Sequence, residues 1–590
     1  MILSLLSKVI PQSEVQVLLF VALGCGAALN VMLNRSRLHG RPGFDAPQLA
    51  VPNWWVAVGA AAPSAEEFVW RDDGIAVANA PLALSPSQRF VVMGDLHGVG
   101  QGAAATLAQV AVAWDQHQTA CLPALKGMFA LAVWDRQRQE LVAARDAVGA
   151  YSLYYTATGS SCYLAPRLAT LNRFHPRQLD QVALRDYLCC AFVPGHQTLW
   201  RQVRKLRPGT YLQLPSATTH RYWRLQEAME GADRPLEWHG QRLRSHLETA
   251  VAESLPSQQP VGVYLSGGLD SSAITALAAR LHPQPLHTYS IHFGGELPNE
   301  LAFSSQVADH CRSQHHILEI PPATLWRRLP ETMARLDEPI GDPLTVPNWI
   351  MAEAARQSVQ VVLNGEGGDP CFGGPKNQPM LLNQLYGAAG ALEALEAVYL
   401  QSFQKCAADL PQLLQPLGDA VLKAPSVFRA DLQDTDTSYL NRLMGLNIKF
   451  KGADHILTKV NNLTRAAGLA GCSPLFDPRI VAFSMTVPPT YKLAGATEKA
   501  VLKAAVADLL PQSVLHRPKS GMQVPVNYGF RHGWRSPAKA LLLNRRAAIA
   551  PYLNQALIRR WLNFEGDVWG RYGVKLWLLS SLELWLQANR

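Results

Sequence analysis

Tyr264-Leu265-Ser266-Gly267-Gly268-Leu269-Asp270-Ser271-Ser272 is the stretch from which the rest of the chain is read. An apolar run, 261–265, leads into it, and a run rich in alanine and leucine, 273–281, leads out. The order is strand, glycine turn, helix start. Two adjacent glycines let the backbone turn tightly and come close to a ligand. Exposed N–H groups at the helix start, aided by the helix dipole, then face an anion. Ser266, Ser271 and Ser272 add hydroxyl donors. Asp270 adds the carboxylate that a Mg²⁺ on phosphates needs. The competing reading is a plain strand–turn–helix junction with a serine-rich cap.

No Gly-Lys-Ser/Thr follows the glycines, so this is not the common ATPase phosphate loop. The string resembles the pyrophosphate loop, SGGxDS, of N-type ATP pyrophosphatases. That resemblance implies release of pyrophosphate from ATP, with AMP left on the substrate.

The chain has 590 residues, enough for two or more domains. Hydrophobic residues make up 48% and charged residues 17%, a balance that suits large cores and excludes a disordered chain. Fifty-four Lys and Arg against forty-five Asp and Glu give +9, with a pI of about 9.1. The positive charge reads as spread along the chain rather than held in one block. Attraction to phosphates or to an acidic peptide accounts for it as well as a nucleic-acid groove does. The nine cysteines are odd in number, and none forms a CxxC pair. This excludes a disulfide framework and a structural zinc site, and it fits a reducing cytoplasm.

Residues 1–50 read as an apolar extension. Val15–Leu33 is uncharged and close to the roughly 20 residues that a membrane helix needs. Membrane association through this run, a buried or interfacial helix, and a misassigned start are the readings left open. The expected location is the cytoplasm, with the inner membrane as the alternative. From Asn53 to Asn172 short apolar segments alternate with turns, as in a layered sheet domain. Strand candidates there include 54–58, 90–93, 128–134, 140–144 and 161–164, with a helix over 106–113. From Leu236 strands and helices alternate in the βαβ rhythm of a parallel sheet. The strand candidates are 261–265, 287–293, 316–320 and 359–363. The helices between them are 273–281, 303–311 and 349–356. Beyond Gly387 the chain reads as mostly helical.

A second glycine string, Asn364-Gly365-Glu366-Gly367-Gly368-Asp369, ends the apolar strand 359–363. If that strand neighbours the first, Asp270 and Asp369 hold Mg²⁺ together and Glu366 projects toward the same pocket. A third string, Arg517-Pro518-Lys519-Ser520-Gly521-Met522, sets a cation in a constrained loop. A lysine there offsets charge that develops on phosphorus or on an acyl-adenylate.

In this order the strings resemble the asparagine synthase family. Further matches are Leu125 to Asp135, Ala144-Arg145-Asp146 with Gly149 and Leu153-Tyr154-Tyr155, and Thr198 to Gly209. Asp337-Glu338-Pro339 with Asp342-Pro343, Ser473 to Asp477 and Glu498-Lys499 extend the resemblance over roughly 53–590. It implies an α/β fold with an α+β N-terminal domain. A degenerate sandwich of the N-terminal-nucleophile type, 51–215, precedes an ATP-pyrophosphatase synthetase domain, 235–590, with a parallel sheet and a helical C-terminal part. It also implies ATP and Mg²⁺ as cofactors. Nucleotide contacts fall to Leu265, Ser266, Gly267, Gly268, Asp270, Ser271, Ser272, Ser290, Gly365 and Gly367. Metal contacts fall to Asp270 and Asp369. Glu366 and Lys519 carry over as catalytic. Glu366 stands where asparagine synthetases have Glu and β-lactam synthetases a catalytic Tyr.

The departures narrow the function. Glutamine-dependent members need an N-terminal cysteine whose own amine activates the thiol. No cysteine starts the strand near Trp54, and Gly94-Asp95-Leu96-His97-Gly98 stands where NGExYN is expected. Asp369-Pro370 replaces the Asp-Glu of asparagine synthetases. The expectation is an amide-forming synthetase whose amine comes with the substrate, most like lasso peptide cyclases. The partners then are a precursor peptide or a small carboxylic acid, a leader peptidase and a leader-binding protein, with no nucleic acid. Ammonia-dependent asparagine synthesis, a β-lactam-type or other small-molecule amide synthetase, and an inactive scaffold are the alternatives.

Overall fold

The computed structural model describes residues 54–589 apart from 60–68, 98–102, 159, 229–230, 375–378, 383–391, 495–496 and 520. The run Val15–Leu33 lies outside the described residues. Among the described residues no helix is long and apolar enough to cross a membrane.

The N-terminal part is built from twelve strands: β1 (Trp55–Val58), β2 (Trp70–Asp72), β3 (Ile75–Ala78), β4 (Leu82–Leu84), β5 (Phe90–His97) and β6 (Met128–Asp135), then β7 (Glu140–Arg145), β8 (Tyr154–Thr158), β9 (Ser161–Ala165), β10 (Val203–Lys205), β11 (Thr210–Leu214) and β12 (Thr218–Arg221). They form two six-stranded antiparallel sheets. One has the order β10-β8-β9-β1-β3-β2, and the other β12-β11-β7-β6-β5-β4. The side-chain alternation of strands sorts the layers. On β5, Val91 and Met93 enter the core between the sheets, whereas Phe90 and Val92 pack outward with Leu107, Val110 and Trp114. Those three lie on the helix Ala103–His117, which is longer than the 106–113 expected. The sheet strands run to Arg221, a few residues past the expected boundary at 215.

The synthetase part holds a five-stranded parallel sheet: β13 (Val261–Tyr264), β14 (His287–His292), β15 (Gln314–Glu319), β16 (Val361–Leu363) and β17 (Ala470–Cys472), in the order β15-β14-β13-β16-β17. Four of the five coincide with expected strands. The fifth, β17, falls in the stretch read as helical. It is three residues long with Gly471 at its centre, so it carries no β-branched or alternating signal. The strand order reverses between β13 and β16, which pair in register from Val261 with Val361 to Val263 with Leu363. Open parallel sheets bind ligands in the crevice at such a reversal, outside the carboxyl ends of the strands.

The two parts share their apolar interior. Trp54, Val56 and Met93 of the sandwich belong to one buried cluster with Val263, Ile274 and Leu277 of the synthetase part. The Asp337-Glu338 pair ties the same boundary by charge. Asp337 accepts from Arg167 Nε at 2.8 Å, and Glu338 accepts from Lys205 Nζ and Tyr154 Oη, each at 2.8 Å.

Candidate active site

The two glycine loops leave the neighbouring strands β13 and β16 side by side. Gly267 turns the first loop with φ +75°, and a Cβ there would lie 2.5 Å from the Ser304 backbone nitrogen. Only glycine fits both the conformation and the space. A Cβ on Gly365 would lie 2.4 Å from the Ser271 nitrogen, so the second loop presses directly on the first. The helix Leu269–Leu281 starts at Gly268 with no side-chain cap on its N-terminus. Its first N–H groups are therefore left to an anion.

The serines brace this loop. Ser271 Oγ accepts from Ser266 N at 3.2 Å and lies 3.1 Å from Ser266 Oγ, and Gly268 N donates to Ser266 Oγ at 3.3 Å. One expected contact is corrected. Ser272 is fully buried beneath the helix, away from the cavity, so its hydroxyl is no phosphate donor. Ser290 does line the cavity, but its hydroxyl donates to Leu265 O at 2.5 Å. It holds β14 to the loop.

A cavity of ≈ 1210 Å³ opens over both loops. Leu265, Ser266, Gly268, Asp270, Ser271, Ser290, Gly365, Glu366 and Lys519 line it. Gly267 and Gly367 shape its walls without lining it, Gly367 at φ +116°. Asp369 meets it through Lys499 and Lys519. The three strings, at 264–272, 364–369 and 517–522, therefore form one site.

Its electrostatic centre is a residue that sequence reading treated only as part of a matching string. Lys499 Nζ donates to Asp270 Oδ1 at 2.8 Å and Oδ2 at 2.5 Å, and lies 2.6 Å from Asp369 Oδ1. Lys519 also pairs with Asp369. Burial pushes the Asp369 carboxyl up, but the two ammonium groups outweigh it and hold it well below the usual carboxylate range. Burial likewise pushes Lys499 down, and the two carboxylates reverse this and raise it. Lys499 has φ +56° at the start of the helix Ala500–Val506, rare for a side chain of its kind and fixed by the surrounding packing.

Two carboxylates meeting at one point fit a Mg²⁺ that completes its shell with phosphate oxygens. They do not make a metal cage by themselves. No group of three or more His, Cys, Asp or Glu suited to a metal occurs among the described residues. Arg517 is a second residue given no role by the motifs. It donates to Gly267 O at 2.9 Å, pairs with Glu300 and stacks over Phe303 at 4.1 Å, which fixes the first loop from outside. The signal for both was membership of a short string, Glu498-Lys499 for the one and Arg517-Pro518-Lys519 for the other.

Behind Glu366 the Asp342-Pro343 string acquires its role. Asp342 accepts from Lys459 Nζ at 2.7 Å, and Lys459, fully buried, feels Glu366 electrostatically. Asp342 thus keeps a buried cation beside the second loop.

In the sandwich, Trp54 stands where a cysteine would head β1. It is buried, and its Nε1 donates to Asp95 Oδ2 at 3.0 Å. Arg465 of the synthetase part lies 3.3 Å from the same oxygen.

The asparagine synthase family model matches residues 242–587, and a glutamine amidotransferase domain model matches 105–223. A putative asparagine synthetase [glutamine-hydrolyzing] of Mycobacterium tuberculosis is 28% identical over 463 residues, 70% of this chain and 69% of its own length. Asparagine synthetase [glutamine-hydrolyzing] 1 of Bacillus subtilis is 26% identical over 501 residues, 79% of this chain and 78% of its own. Among solved structures, an NH3-dependent NAD synthetase from Campylobacter jejuni matches 24% of this chain and 60% of its own at 14% identity and a TM-score of 0.17. The NMN synthetase of Francisella tularensis matches 38% and 96% at 12% identity and a TM-score of 0.20. The chain belongs to the asparagine synthase family and is an ATP-dependent carbon–nitrogen ligase of that type.

Proposed function

We propose that the protein adenylates a carboxylate of a precursor peptide and closes a macrolactam with the peptide's own N-terminal amine, as a lasso peptide cyclase does. The observation that carries this reading is the Trp54–Asp95 pair. The sandwich of glutamine-hydrolysing relatives is retained, yet a buried indole fills the head of its first strand, and no cysteine stands there. Without glutamine hydrolysis the amine comes either as free ammonia or on the substrate, and this reading takes the second. The cavity of ≈ 1210 Å³ has room for a substrate beside the nucleotide. Ile291, Leu344, Met351 and Met522 give it apolar walls beyond the phosphate end.

In this reading the substrate carboxylate attacks the α-phosphorus of ATP, the bond to the β-phosphate breaks and pyrophosphate leaves. The amine then attacks the acyl carbon, loses a proton and displaces AMP. The helix start at Leu269 and Ser266 bind the pyrophosphate end. Asp270 and Asp369 would hold Mg²⁺, which when bound would neutralise charge on the leaving group. Lys519 and Lys499 offset the charge that develops on phosphorus, an electrostatic role suited to a site that excludes water. Glu366 faces the acyl group from the second loop. Joining two ends of one molecule removes the entropy of a second encounter, worth up to about 7–11 kcal/mol when well aligned.

The test is to incubate the protein with ATP, Mg²⁺ and a candidate precursor peptide together with its leader peptidase. Loss of one water by mass, with AMP and pyrophosphate released, is expected. Pyrophosphate release that needs free aspartate and ammonia would favour an asparagine synthetase instead. Release driven by a small non-peptide acid would favour a small-molecule amide synthetase. No turnover with any acid, and no effect of Asp270→Ala on the biological role, would favour a scaffold.

A further inference from the structure

The chain's net charge is concentrated in one place, contrary to the even spread expected from composition. Between Leu509 and Lys575 there are eleven Lys and Arg against two Asp and Glu, a net of +9. The other 523 residues carry 43 of each sign and sum to zero. The segment begins with the string that lines the cavity through Arg517, Lys519 and Met522. It runs straight on into a helical cap that packs around the buried helix Tyr572–Asn589.

The cap turns its apolar side chains inward and its cations outward. Phe530, Trp534, Leu542, Ile558 and Trp561 are buried. Arg531, Arg535, Lys539, Arg559, Arg560 and Arg571 are exposed. Among the described residues only Arg531 of these six has a carboxylate within ion-pair distance, Asp567 at 3.6 Å. Arg535 donates instead to a neutral amide, Asn563 Oδ1, at 2.6 Å. Arg535 and Lys539 are one turn apart on the helix Arg535–Leu542, and Arg535 opposes the dipole at its N-terminus. Both features weaken the helix, and the fold offers no counter-charge for them.

An apolar anchor stands amid these cations. Val568 and Trp569 are 82% and 85% exposed on a loop bounded by Gly566 and Gly570, both at positive φ. The loop is pinned. Asn527 donates to Gly570 O, and Asp567 accepts from the backbone nitrogens of Arg571 at 2.7 Å and Tyr572 at 3.2 Å. Tyr528, 46% exposed, stacks on His532 beside it at 4.2 Å. A Trp on a pinned loop and a Tyr, with Arg531 3.6 Å from Asp567 and Arg571 bonded to it, have the composition of an interface hot spot.

We propose that this surface docks an acidic polypeptide segment carrying an apolar side chain for Trp569, held there while another part of the same peptide enters the cavity. The proposal rests on the peptide reading of the site for its catalytic consequence. Charge complementarity gives the docking its attraction and rate, and the Trp569 contact its lifetime. A nucleic acid fits less well, because its backbone has nothing apolar for Val568 to contact. A bilayer fits less well, because two protruding side chains are a small anchor beside the marginal hold of a whole myristoyl chain.

The experiment is fluorescence anisotropy of a fluorescein-labelled peptide of alternating Glu and Gly with central Leu residues. It is titrated with the full chain, with Arg535→Glu/Lys539→Glu and with Trp569→Ser. All three positions are exposed, and circular dichroism checks folding. Salt-sensitive binding is expected, weakened about tenfold or more by each variant. A Lys–Gly counterpart should not bind. Equal binding by wild type and both variants overturns the proposal. So does no binding, or tighter binding of a single-stranded oligonucleotide or of phosphatidylglycerol vesicles. Peptide binding lost in both variants, with no dehydrated product from any precursor, leaves the docking surface standing and rejects the macrolactam reading.

Discussion

Lys499 donates to both carboxylate oxygens of Asp270, at 2.8 and 2.5 Å, across 229 residues of chain. With Asp369 2.6 Å from the same ammonium, it welds the two glycine loops together at the point where phosphates would be cleaved. Replacing it by Met leaves two carboxylates facing each other, with Lys519 the remaining cation on Asp369. We expect Lys499→Met to lower stability by about 1–3 kcal/mol and pyrophosphate release by about 100-fold. Chemical denaturation and a pyrophosphate assay check the two separately. Unchanged turnover would show that Lys499 is structural only.

Gly365→Ala tests the contact between the loops. The new Cβ would lie 2.4 Å from a backbone nitrogen, which no rotamer change relieves. Overpacking of about 1–3 kcal/mol, placed on nucleotide binding, corresponds to roughly 10- to 100-fold weaker ATP affinity. Calorimetric titration with a non-hydrolysable ATP analogue reads it. Wild-type affinity would mean that the nucleotide does not need the two loops at this spacing.

Glu366→Gln keeps the shape of the second loop and removes its charge. Glu366 lines the cavity without belonging to the carboxylate pair on Lys499. The variant is expected to keep ATP affinity and lose about 10²–10⁴ in amide formation, the range of a positioned acid or base. An equal loss in ATP affinity would assign Glu366 to binding.

The buried His455 gives a pH signature. Burial pushes its imidazole down to about 4 from an ordinary 6.5, although Asp342 lies 3.3 Å away. Between these values the unfolded chain takes up a proton that the folded chain refuses. The contribution of His455 is therefore complete above pH 6.5 and is lost as pH falls toward 4. The stability of the wild type relative to His455→Gln should rise with pH across that window, by at most about 1.4 kcal/mol per unit. Urea unfolding of both proteins from pH 4 to pH 7 measures it, and a flat difference would refute the assignment.

Glutamine should not serve as nitrogen donor. Trp54 closes the head of β1 against Asp95, and Cys121, Cys162, Cys189 and Cys190, the four thiols of the described sandwich strands and their connections, are all held up by burial, Cys121 to about 11. Thiols kept protonated are poor nucleophiles. Glutamate release above background from glutamine would contradict this.

Local sequence was enough to locate the two glycine loops. Gly267 and Gly268 after an apolar run, and Gly365 to Gly368 after another, carry their turn chemistry in the residues themselves. Four strands of the parallel sheet were legible, expected at 261–265, 287–293, 316–320 and 359–363: 261–264 and 361–363 are apolar runs, whereas 287–292 and 314–319 are mixed and their bounds shift by one or two residues. β17 was not, because a three-residue strand around Gly471 owes its existence to pairing with β16, from Val361 with Ala470 to Leu363 with Cys472. Ser272 was misassigned because a hydroxyl one residue after Ser271 rotates about 100° around the helix, from the loop to the core.

The order of motifs along the chain by itself determined the family and its ATP-dependent ligase chemistry, since each motif is made of residues near one another in sequence. Only the tertiary structure decided that Lys499 joins Asp270 to Asp369, that Arg517 locks Gly267, and that Arg531, Arg535, Lys539, Arg559, Arg560 and Arg571 are left exposed on the cap. Those are relations between side chains hundreds of residues apart or on successive helices. Charge pairs of this kind leave no periodicity in a sequence, because the Coulomb interaction depends on distance in space and on burial, which folding alone sets.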